Sequence, residues 1–105
     1  MRLVRRADFE AVYRNGKRRS SAQFVIFCRA TGGAQSRFGI SIKKAIGGAV
    51  VRNRIRRRIR EILRRNSSEI PSGWDLVIHP RRSVATAEFA PTAAELLSLL
   101  KSLGR

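Results

Sequence analysis

The sequence predicts a single small domain of the α+β class. Apolar residues recur at helical spacing near both ends and in the middle of the chain, whereas apolar and polar residues alternate in stretches between them. With 105 residues, 43% of them hydrophobic, the chain can bury one core. We expect the order helix, strand, strand, long helix, strand, helix without repeats or linkers, so residues 1–105 are interpreted as one domain.

The first helix is predicted at residues 7–14, where Phe9, Val12 and Tyr13 lie at helical spacing. Gly16 follows at a position where helices commonly end. Two carboxylates near the start of this helix are interpreted as structural, because the helix dipole favours negative charge at that end.

Two strands are predicted after a basic loop at residues 17–19. Residues 23–30 place Phe24, Ile26 and Cys28 opposite Val25, Phe27 and Arg29, and residues 37–43 place Phe38, Ile40 and Ile42 opposite Arg37, Gly39, Ser41 and Lys43. The glycine pair between the strands favours a turn, so a hairpin is expected. The pattern is typical of an antiparallel sheet with one buried face, which leaves the polar face free to meet a ligand.

The most distinctive segment is RNRIRRRIREILRR at residues 52–65, with eight arginines in fourteen positions. A helix here gathers five apolar residues within about 120° of arc, the stripe of a helix packed on a core: Val51, Ile55, Ile59, Ile62 and Leu63. An i,i+4 row of cations, Arg52, Arg56, Arg60 and Arg64, has only Glu61 as a local counter-charge. Because such a row repels itself, the helix is predicted to bind the phosphates of a polyanion.

A third strand and a last helix complete the prediction. Residues 71–73 break the chain, and residues 74–79 are predicted as a strand. The last helix is expected to begin near Pro91, with Thr92 and Glu95 as a capping box. Its leucines are interpreted as core because the run is too short for a coiled coil: Leu96, Leu97, Leu99, Leu100 and Leu103.

The charge of the chain predicts an anionic partner. Lys and Arg number 23 against 7 Asp and Glu, which gives a formal net charge of +16. No run approaches the roughly eighteen apolar residues of a membrane span, and the first residues lack the apolar centre of a secretory signal, so no membrane partner is expected. The single cysteine, Cys28, is interpreted as a buried thiol of a cytoplasmic protein.

Catalytic chemistry is not predicted for these side chains. His79 is the only histidine, and one histidine with one cysteine cannot make a zinc site. The acidic residues are scattered over different elements, unlike the clustered carboxylates of metal-dependent nucleases. Gly47 and Gly48 could present backbone N–H groups to a phosphate, but the residue order of a phosphate loop is absent. We therefore expect no catalytic residue and no metal ligand in the protein itself.

Aromatic residues beside positive charge predict contact with unpaired bases. Phe9 and Tyr13 are one turn apart on the first helix, and Phe27 lies on the less apolar face of its strand. Three cations share the strand parity of Phe27: Arg29, Lys43 and Arg81. Such a set can stack bases while the cations bind the backbone. The alternative is that Phe9 and Tyr13 only dock the helix on the sheet.

Residues 43–61, KKAIGGAVVRNRIRRRIRE, resemble the signature of the protein subunit of bacterial ribonuclease P. The segment has the paired lysines, a glycine before a small apolar pair, the central Arg52-Asn53-Arg54, and the arginines and isoleucines that follow. The resemblance extends to Asp8-Phe9 with Val12-Tyr13 and Gly16, to Gln23-Phe24-Val25 with Phe27, and to residues 75–81. Three features depart from the family pattern: Gly48 replaces a usual asparagine, Pro80 replaces a usual small residue, and the sequence begins close to the first helix.

The resemblance implies an α/β sandwich of the ribosomal-protein type, with about three helices, a mostly antiparallel four-stranded sheet and a left-handed βαβ crossover. It also implies that the protein assists a catalytic RNA subunit, which uses Mg²⁺ to remove the single-stranded 5′ leader of precursor tRNA. The expected contacts with ribonuclease P RNA are Lys43, Lys44, Arg52, Asn53, Arg54, Arg56, Arg57 and Arg60. The expected contacts with the leader are Phe9, Tyr13, Phe27, Arg29 and Arg81. The protein is expected to be a monomer within a cytoplasmic ribonucleoprotein.

Three other functions stay open at this point. A ribosomal or general RNA-binding protein would need only the basic helix. A protein-only ribonuclease is disfavoured by the scattered carboxylates. A helix-turn-helix DNA-binding protein is disfavoured because a strand and glycines precede the arginine helix in place of a short positioning helix, so DNA is not an expected partner.

Overall fold

The computed structural model describes residues 6–103, and this part of the chain contains three α-helices and four strands. The helices are α1 (Arg6–Asn15), α2 (Ala49–Arg65) and α3 (Phe89–Lys101). The strands are β1 (Lys17–Ser20), β2 (Phe24–Ala30), β3 (Arg37–Ile40) and β4 (Trp74–Pro80). Short 3-10 helices lie at Lys44–Ile46, Ser67–Glu69 and Arg82–Ala85. The predicted α+β class is confirmed. None of the described helices is long and apolar enough to cross a membrane.

The four strands form one sheet in the order β1-β2-β4-β3. The β1–β2 and β2–β4 pairs are antiparallel, whereas β3 and β4 are parallel. The mostly antiparallel four-stranded sheet that the family resemblance implies is therefore confirmed. Helix α2 lies in the crossover between the parallel strands β3 and β4. The left-handed sense of this crossover stays a prediction.

The predicted hairpin between β2 and β3 is wrong, because β4 lies between these two strands. Leu76, Val77 and Ile78 of β4 are all fully buried, so this strand is apolar on both faces and belongs in the centre of the sheet. Alternation along β2 and β3 assigned their faces correctly, but it carried no information about which strand pairs with which.

The basic segment at residues 17–19, predicted as a loop, is part of strand β1. This strand lies at the edge of the sheet and pairs only with β2, with Lys17 opposite Cys28 and Arg19 opposite Ile26. Charged residues suit an edge strand because they disfavour pairing with another chain. The strand was missed because three consecutive cations show no alternation of polarity.

The main core lies between one face of the sheet and the helices α2 and α3. Ile55, Ile59 and Ile62 are fully buried, and Val51 and Leu63 pack at the margin, so the predicted stripe of α2 is confirmed. The sheet contributes Phe24, Ile26, Cys28, Leu76 and Ile78. Helix α3 contributes Leu96 and Leu100, and Leu103 packs on the core just after the helix ends. The leucines of α3 therefore belong to the core, and Cys28 is the buried thiol that was expected.

The opposite face of the sheet carries α1. Val12 of this helix and Val77 of β4 are fully buried in a small second core, with Phe9 and Phe27 packed around them. At the end of α1, Gly16 donates its backbone N–H to the Val12 carbonyl at 2.8 Å. A Cβ at Gly16 would lie 2.6 Å from the carbonyl oxygen of Cys28, so the close approach of α1 to β2 requires glycine here. Helices thus cover both faces of the sheet, as in the predicted sandwich.

The start of α3 differs from the predicted capping box. The Thr92 hydroxyl donates to the Glu88 carbonyl at 2.7 Å. Glu95 accepts hydrogen bonds from the Ser21 hydroxyl at 2.5 Å and from the backbone N–H of Gln23 at 2.7 Å. Its carboxylate therefore ties α3 to the turn between β1 and β2, a long-range contact that a local sequence signature cannot reveal.

Candidate nucleic-acid interface

Three rings meet between α1 and the sheet, and we call them the ring cluster: Tyr13, Phe27 and His79. Tyr13 contacts Phe27 edge to face, with ring centroids 5.0 Å apart and ring planes at 83°. The centroid of the His79 ring lies 5.2 Å from that of Phe27 and 5.7 Å from that of Tyr13. The Tyr13 hydroxyl and His79 Nε2 share a hydrogen bond of 2.8 Å. The ring cluster therefore joins α1 to β2 and β4.

A cleft of about 460 Å³ opens beside the ring cluster on the same face of the sheet. Phe27 and His79 line it, and four cations surround them: Arg18, Lys43, Arg81 and Arg82. Among the described residues 6–103, none of those that line this cleft is acidic. The register of β2 and β4 brings Phe27 and His79 together. Phe27 lies opposite Val77, and His79 is the next residue on the same face of β4. Rings within a border of cations fit a single-stranded nucleic acid.

The predicted leader residues do not all lie in this cleft. Phe27 and Arg81 line it, and Tyr13, with 41% of its surface exposed, borders it through its contact with Phe27. Phe9 is partly buried in the small core under α1, which favours a docking role for this ring. Arg29 lines a separate depression at the far end of β2.

His79 was not predicted in the cleft, and Lys43 lies there as well as near the predicted contact with an RNA subunit. The sequence predicts no ligand contact for His79, and it predicts Lys43 both beside Phe27 and, through the family resemblance, in the contact with an RNA subunit. Both line the cleft together with Ser41. His79 lies two residues after the buried Val77, so the two side chains share one face of β4. Which face of the sheet this is could not be assigned before the β2–β4 pairing was known.

Burial lowers the pKa of His79 below its usual value of 6.5, and the positive charge of Lys43 lowers it further. Burial raises the pKa of Tyr13, an effect that a hydrogen bond with Ser41 partly opposes. Both rings are therefore uncharged near neutral pH. The ring cluster presents apolar surface to a ligand, and the charge in the cleft comes from the surrounding cations.

Helix α2 carries most of the residues predicted to contact an RNA subunit. Its exposed members, which we call the α2 surface, are Asn53, Arg54, Arg57 and Arg60. Arg52 and Arg56 are half-buried, and Lys44 is exposed in the 3-10 helix before α2. Arg56 donates to Asn53 Oδ1 at 3.1 Å, and Arg52 Nε is buried without a hydrogen-bond partner among the described residues. The predicted i,i+4 row therefore changes from half-buried at Arg52 and Arg56 to exposed at Arg60 and Arg64.

Three other arginines of α2 have structural partners. Arg58 donates to a backbone carbonyl of the 3-10 helix before α3 at 2.7 Å, and its guanidinium lies 5.9 Å from the centroid of the Phe89 ring. Arg65 lies 5.3 Å from the same centroid. Arg64 and Arg65 each donate to Glu61 at 2.6 Å, and these hydrogen bonds lower the pKa of its carboxyl. These arginines stabilise α2 and its contact with the region around α3.

An ion-pair network holds the start of α1 over the sheet. Arg37 of β3 donates from Nε to Asp75 Oδ1 at 2.9 Å and from Nη2 to Asp75 Oδ2 at 2.7 Å. Its Nη1 lies 3.6 Å from Oδ2 of Asp8 in α1. The Asp75 side chain is only 2% exposed, so Arg37 compensates a buried charge. Asp8 is therefore held near the start of β4, while Tyr13 is held near its end.

Two departures from the family pattern have local consequences. Gly48 is the N-cap of α2, with φ of −70° and ψ of 178°, and it offers no side chain to the free N–H groups of the first turn. Pro80 ends β4 opposite Phe24, and Arg81 then donates its backbone N–H to the Gln23 carbonyl at 2.8 Å. Pairing with β2 thus continues past the proline, and the Arg81 side chain is exposed at the cleft.

The residue types that bind metal ions are dispersed over the described part of the chain. Within residues 6–103, no group of three or more His, Cys, Asp or Glu lies close enough together to hold a metal ion. Burial raises the pKa of the Cys28 thiol, although the nearby Arg19 and Lys17 oppose this effect. An uncharged and buried thiol is a poor nucleophile and a poor metal ligand.

Comparison with known proteins points to one family. The model of the family described as Ribonuclease P matches residues 1–104. The Ribonuclease P protein component of Thermotoga maritima is 38% identical over 106 residues, which cover 97% of this chain and 91% of the relative. The Ribonuclease P protein component of Brevibacillus brevis is 42% identical over 101 residues, which cover 95% of this chain and 80% of the relative.

Solved structures show the same architecture. The RNase P protein from Thermotoga maritima matches with a TM-score of 0.88 at 38% identity, covering 96% of each chain. The Staphylococcus aureus RNase P protein matches with a TM-score of 0.83 at 31% identity, covering 95% of this chain and 92% of that one. The similarity of fold therefore extends over nearly the whole sequence.

Proposed function

The chain belongs to the ribonuclease P protein family, and from this premise we propose that it binds both the catalytic RNA subunit and the single-stranded 5′ leader of precursor tRNA. The RNA subunit removes the leader, and the protein supplies two binding surfaces for that reaction. Residues 1–105 act as one RNA-binding domain, present as a monomer within a ribonucleoprotein of the bacterial cytoplasm.

The proposal that the protein binds the leader is supported by the cleft beside the ring cluster. Phe27 offers a ring for stacking, and Arg18, Lys43 and Arg81 offer positive charge to phosphates. A single strand can stack on such rings with little sequence preference, at about 1–3 kcal/mol per base. Mature tRNA has no leader. The cleft therefore favours the precursor over the product, and the product can leave after cleavage.

The α2 surface is the proposed contact with the RNA subunit. Arg54, Arg57 and Arg60 are exposed and have no side-chain hydrogen bond or ion pair within residues 6–103. Cations of this kind bind phosphates and release counterions from the RNA. By neutralising crowded phosphates they reduce the concentration of Mg²⁺ that the RNA needs. Lys44, Arg52 and Arg56 extend this contact at its borders.

Magnesium is assigned to the RNA subunit in this proposal. The described residues offer no cluster of three acidic, histidine or cysteine side chains, so a resident Mg²⁺ site does not fit them. Bound to RNA, the ion would supply positive charge for phosphodiester hydrolysis. The side chains of this protein bind and orient the substrate.

Cleavage of a 5′-extended precursor tRNA at limiting Mg²⁺ tests the proposal. The comparison includes the protein alone, a bacterial ribonuclease P RNA alone, and the two together. We expect cleavage to be restored only in the mixture. A mixture that stays inactive with RNA subunits of both common architectures would favour a general RNA-binding protein, and cleavage by the protein alone would reveal a catalytic centre in the protein.

A further inference from the structure

A second concave surface lies at the edge of the sheet and shares no residue with the cleft; we call it the edge depression. Its volume is about 430 Å³, and the residues that line it include Lys17, Arg19, Cys28, Arg29 and Trp74. Its lining, within the part of the chain that the structure describes, contains no acidic residue. Arg29, which was predicted to contact the leader in the cleft, lies here.

Unequal strand lengths create the edge depression. Strand β2 continues to Ala30, where it pairs with Trp74, but β1 begins at Lys17, opposite Cys28. The last two residues of β2 therefore have no neighbour in β1, and the end of α1 borders the gap through Asn15. The gap leaves room for a ligand beside the indole ring.

The cations of β1 are divided between the two faces of the sheet. Lys17 lies opposite Cys28 and Arg19 is two residues further along β1, so both share one face. The Cys28 thiol lies 3.4 Å from the backbone carbonyl oxygen of Lys17. Arg18 lies opposite Phe27 and lines the cleft. One strand thus contributes charge to two separate binding surfaces.

The cations of the edge depression have no acidic partner. Lys17, Arg19 and Arg29 form no ion pair within the described residues 6–103. Six of the 7 acidic residues have side-chain partners elsewhere: Asp8, Glu10, Glu61, Glu69, Asp75 and Glu95. Asp75 is opposite Arg29 in the β2–β4 ladder, but Arg37 binds its carboxylate. Lys17 and Arg19 therefore place uncompensated positive charge on the face of Cys28, and Arg29 adds charge at the opposite face of the same strand end.

We propose that the edge depression binds a nucleotide of single-stranded RNA, with its phosphate at Lys17 and Arg19 and its base against Trp74. Arginine and lysine bind phosphate, and an indole face stacks any base. Cations on an edge strand also disfavour pairing with another chain, but that role requires neither a concave surface nor a tryptophan. The inference rests on the proposed function only in taking RNA as the anion.

Trp74 is the only tryptophan of the chain, so its fluorescence reports on the edge depression directly. The test titrates the full-length protein with a short oligouridylate and follows quenching of this fluorescence. We expect saturable quenching in the unmodified protein. A Lys17→Gln/Arg19→Gln protein should bind more weakly, with a salt dependence reduced by roughly 0.7 in log–log slope for each cation removed. Glutamine keeps a polar side chain on the edge strand while removing its charge.

The matched control is Arg18→Gln, which removes one charge from the same strand on the cleft face. It should leave the quenching of Trp74 intact. Absence of saturable quenching in the unmodified protein, equal quenching in the double variant, or equal weakening in the control would each overturn the proposal, because binding would then not depend on the edge depression.

An unpaired nucleotide could come from an unpaired loop of the RNA subunit or from a distal part of the leader. Two further titrations distinguish these sources, one with the RNA subunit alone and one with precursor tRNAs of short and long leader. Quenching by the RNA subunit alone assigns the first source, and quenching that requires a long leader assigns the second. No quenching by any of them would overturn the site. Since the readout is fluorescence of Trp74, this outcome is independent of whether cleavage is restored in the reconstituted enzyme.

Discussion

The hydroxyl of Tyr13 lies 2.8 Å from Nε2 of His79, and this hydrogen bond joins α1 to the end of β4. At the other end of the helix, Asp8 lies 3.6 Å from Arg37. Helix α1 is therefore held over the sheet at two points. Because the Phe27 ring contacts both Tyr13 and His79, the orientation of the proposed stacking surface depends on this hydrogen-bonded pair.

The lowered pKa of His79 predicts that the free energy of unfolding falls as the pH decreases below 6.5. Burial and the charge of Lys43 lower its pKa in the folded protein, so the unfolded chain binds a proton at higher pH than the folded protein does. The stabilising contribution is fully present above pH 6.5 and is lost as the pH falls towards the lower folded-state pKa. His79→Gln should flatten this part of the profile. Urea unfolding over a pH series measures it, and parallel profiles for the two proteins would contradict the prediction.

Arg37→Ala should reduce the free energy of unfolding more than the loss of an exposed ion pair does, because the buried Asp75 carboxylate would lose both of its arginine hydrogen bonds. Arg6→Ala is the control, since the pair of Arg6 with Glu10 is exposed and should contribute less than about 0.5 kcal/mol. Denaturant unfolding compares the two variants. Similar losses would show that the Asp75 pair is not the stronger contact.

Gly48→Asn should stabilise the protein by about 0.5–1 kcal/mol, because asparagine can cap the first turn of α2 and restricts the unfolded chain. The backbone angles at Gly48 suit any residue, and a Cβ there meets no atom within 4 Å. Gly73→Ala is the contrasting variant, because φ of 83° at Gly73 strains a residue with a side chain. Thermal unfolding should show a higher Tm for the first and a lower Tm for the second. A decrease for Gly48→Asn would contradict the capping argument.

Arg54→Ala and Arg57→Ala should weaken assembly with the RNA subunit. If each of these exposed arginines binds one phosphate, the slope of log K against log salt should become shallower by about 0.9 for each arginine replaced. Arg64→Ala is the control because Arg64 is paired with Glu61 and lies outside the α2 surface. Binding measured across a salt series gives the slopes. An unchanged slope for Arg54→Ala and Arg57→Ala would remove these residues from the interface.

Local periodicity predicted much of the fold but not the strand order. The spacing of Ile55, Ile59 and Ile62 identified the buried face of α2, because a helix repeats every 3.6 residues. The position of β4 between β2 and β3 depends on pairing between distant segments, and alternation within one strand does not report it. The candidate site was limited in the same way. Tyr13 could be predicted as a binding residue from its aromatic ring, whereas the place of His79 depends on its hydrogen bond with Tyr13, which lies 66 residues away in the sequence.

The most direct test of whether the cleft binds the leader is the ratio of the holoenzyme's affinities for precursor and mature tRNA. Phe27→Leu removes the ring while keeping an apolar side chain under α1, and Phe89→Leu removes a ring that packs against Arg58 and Arg65 of α2. We predict that Phe27→Leu weakens precursor binding by roughly fivefold or more, as expected for the loss of one stacked base, and leaves mature tRNA binding unchanged. The ratio should not change in Phe89→Leu. Equal weakening of precursor and mature tRNA by Phe27→Leu, or no weakening of either, would contradict a cleft that binds the leader.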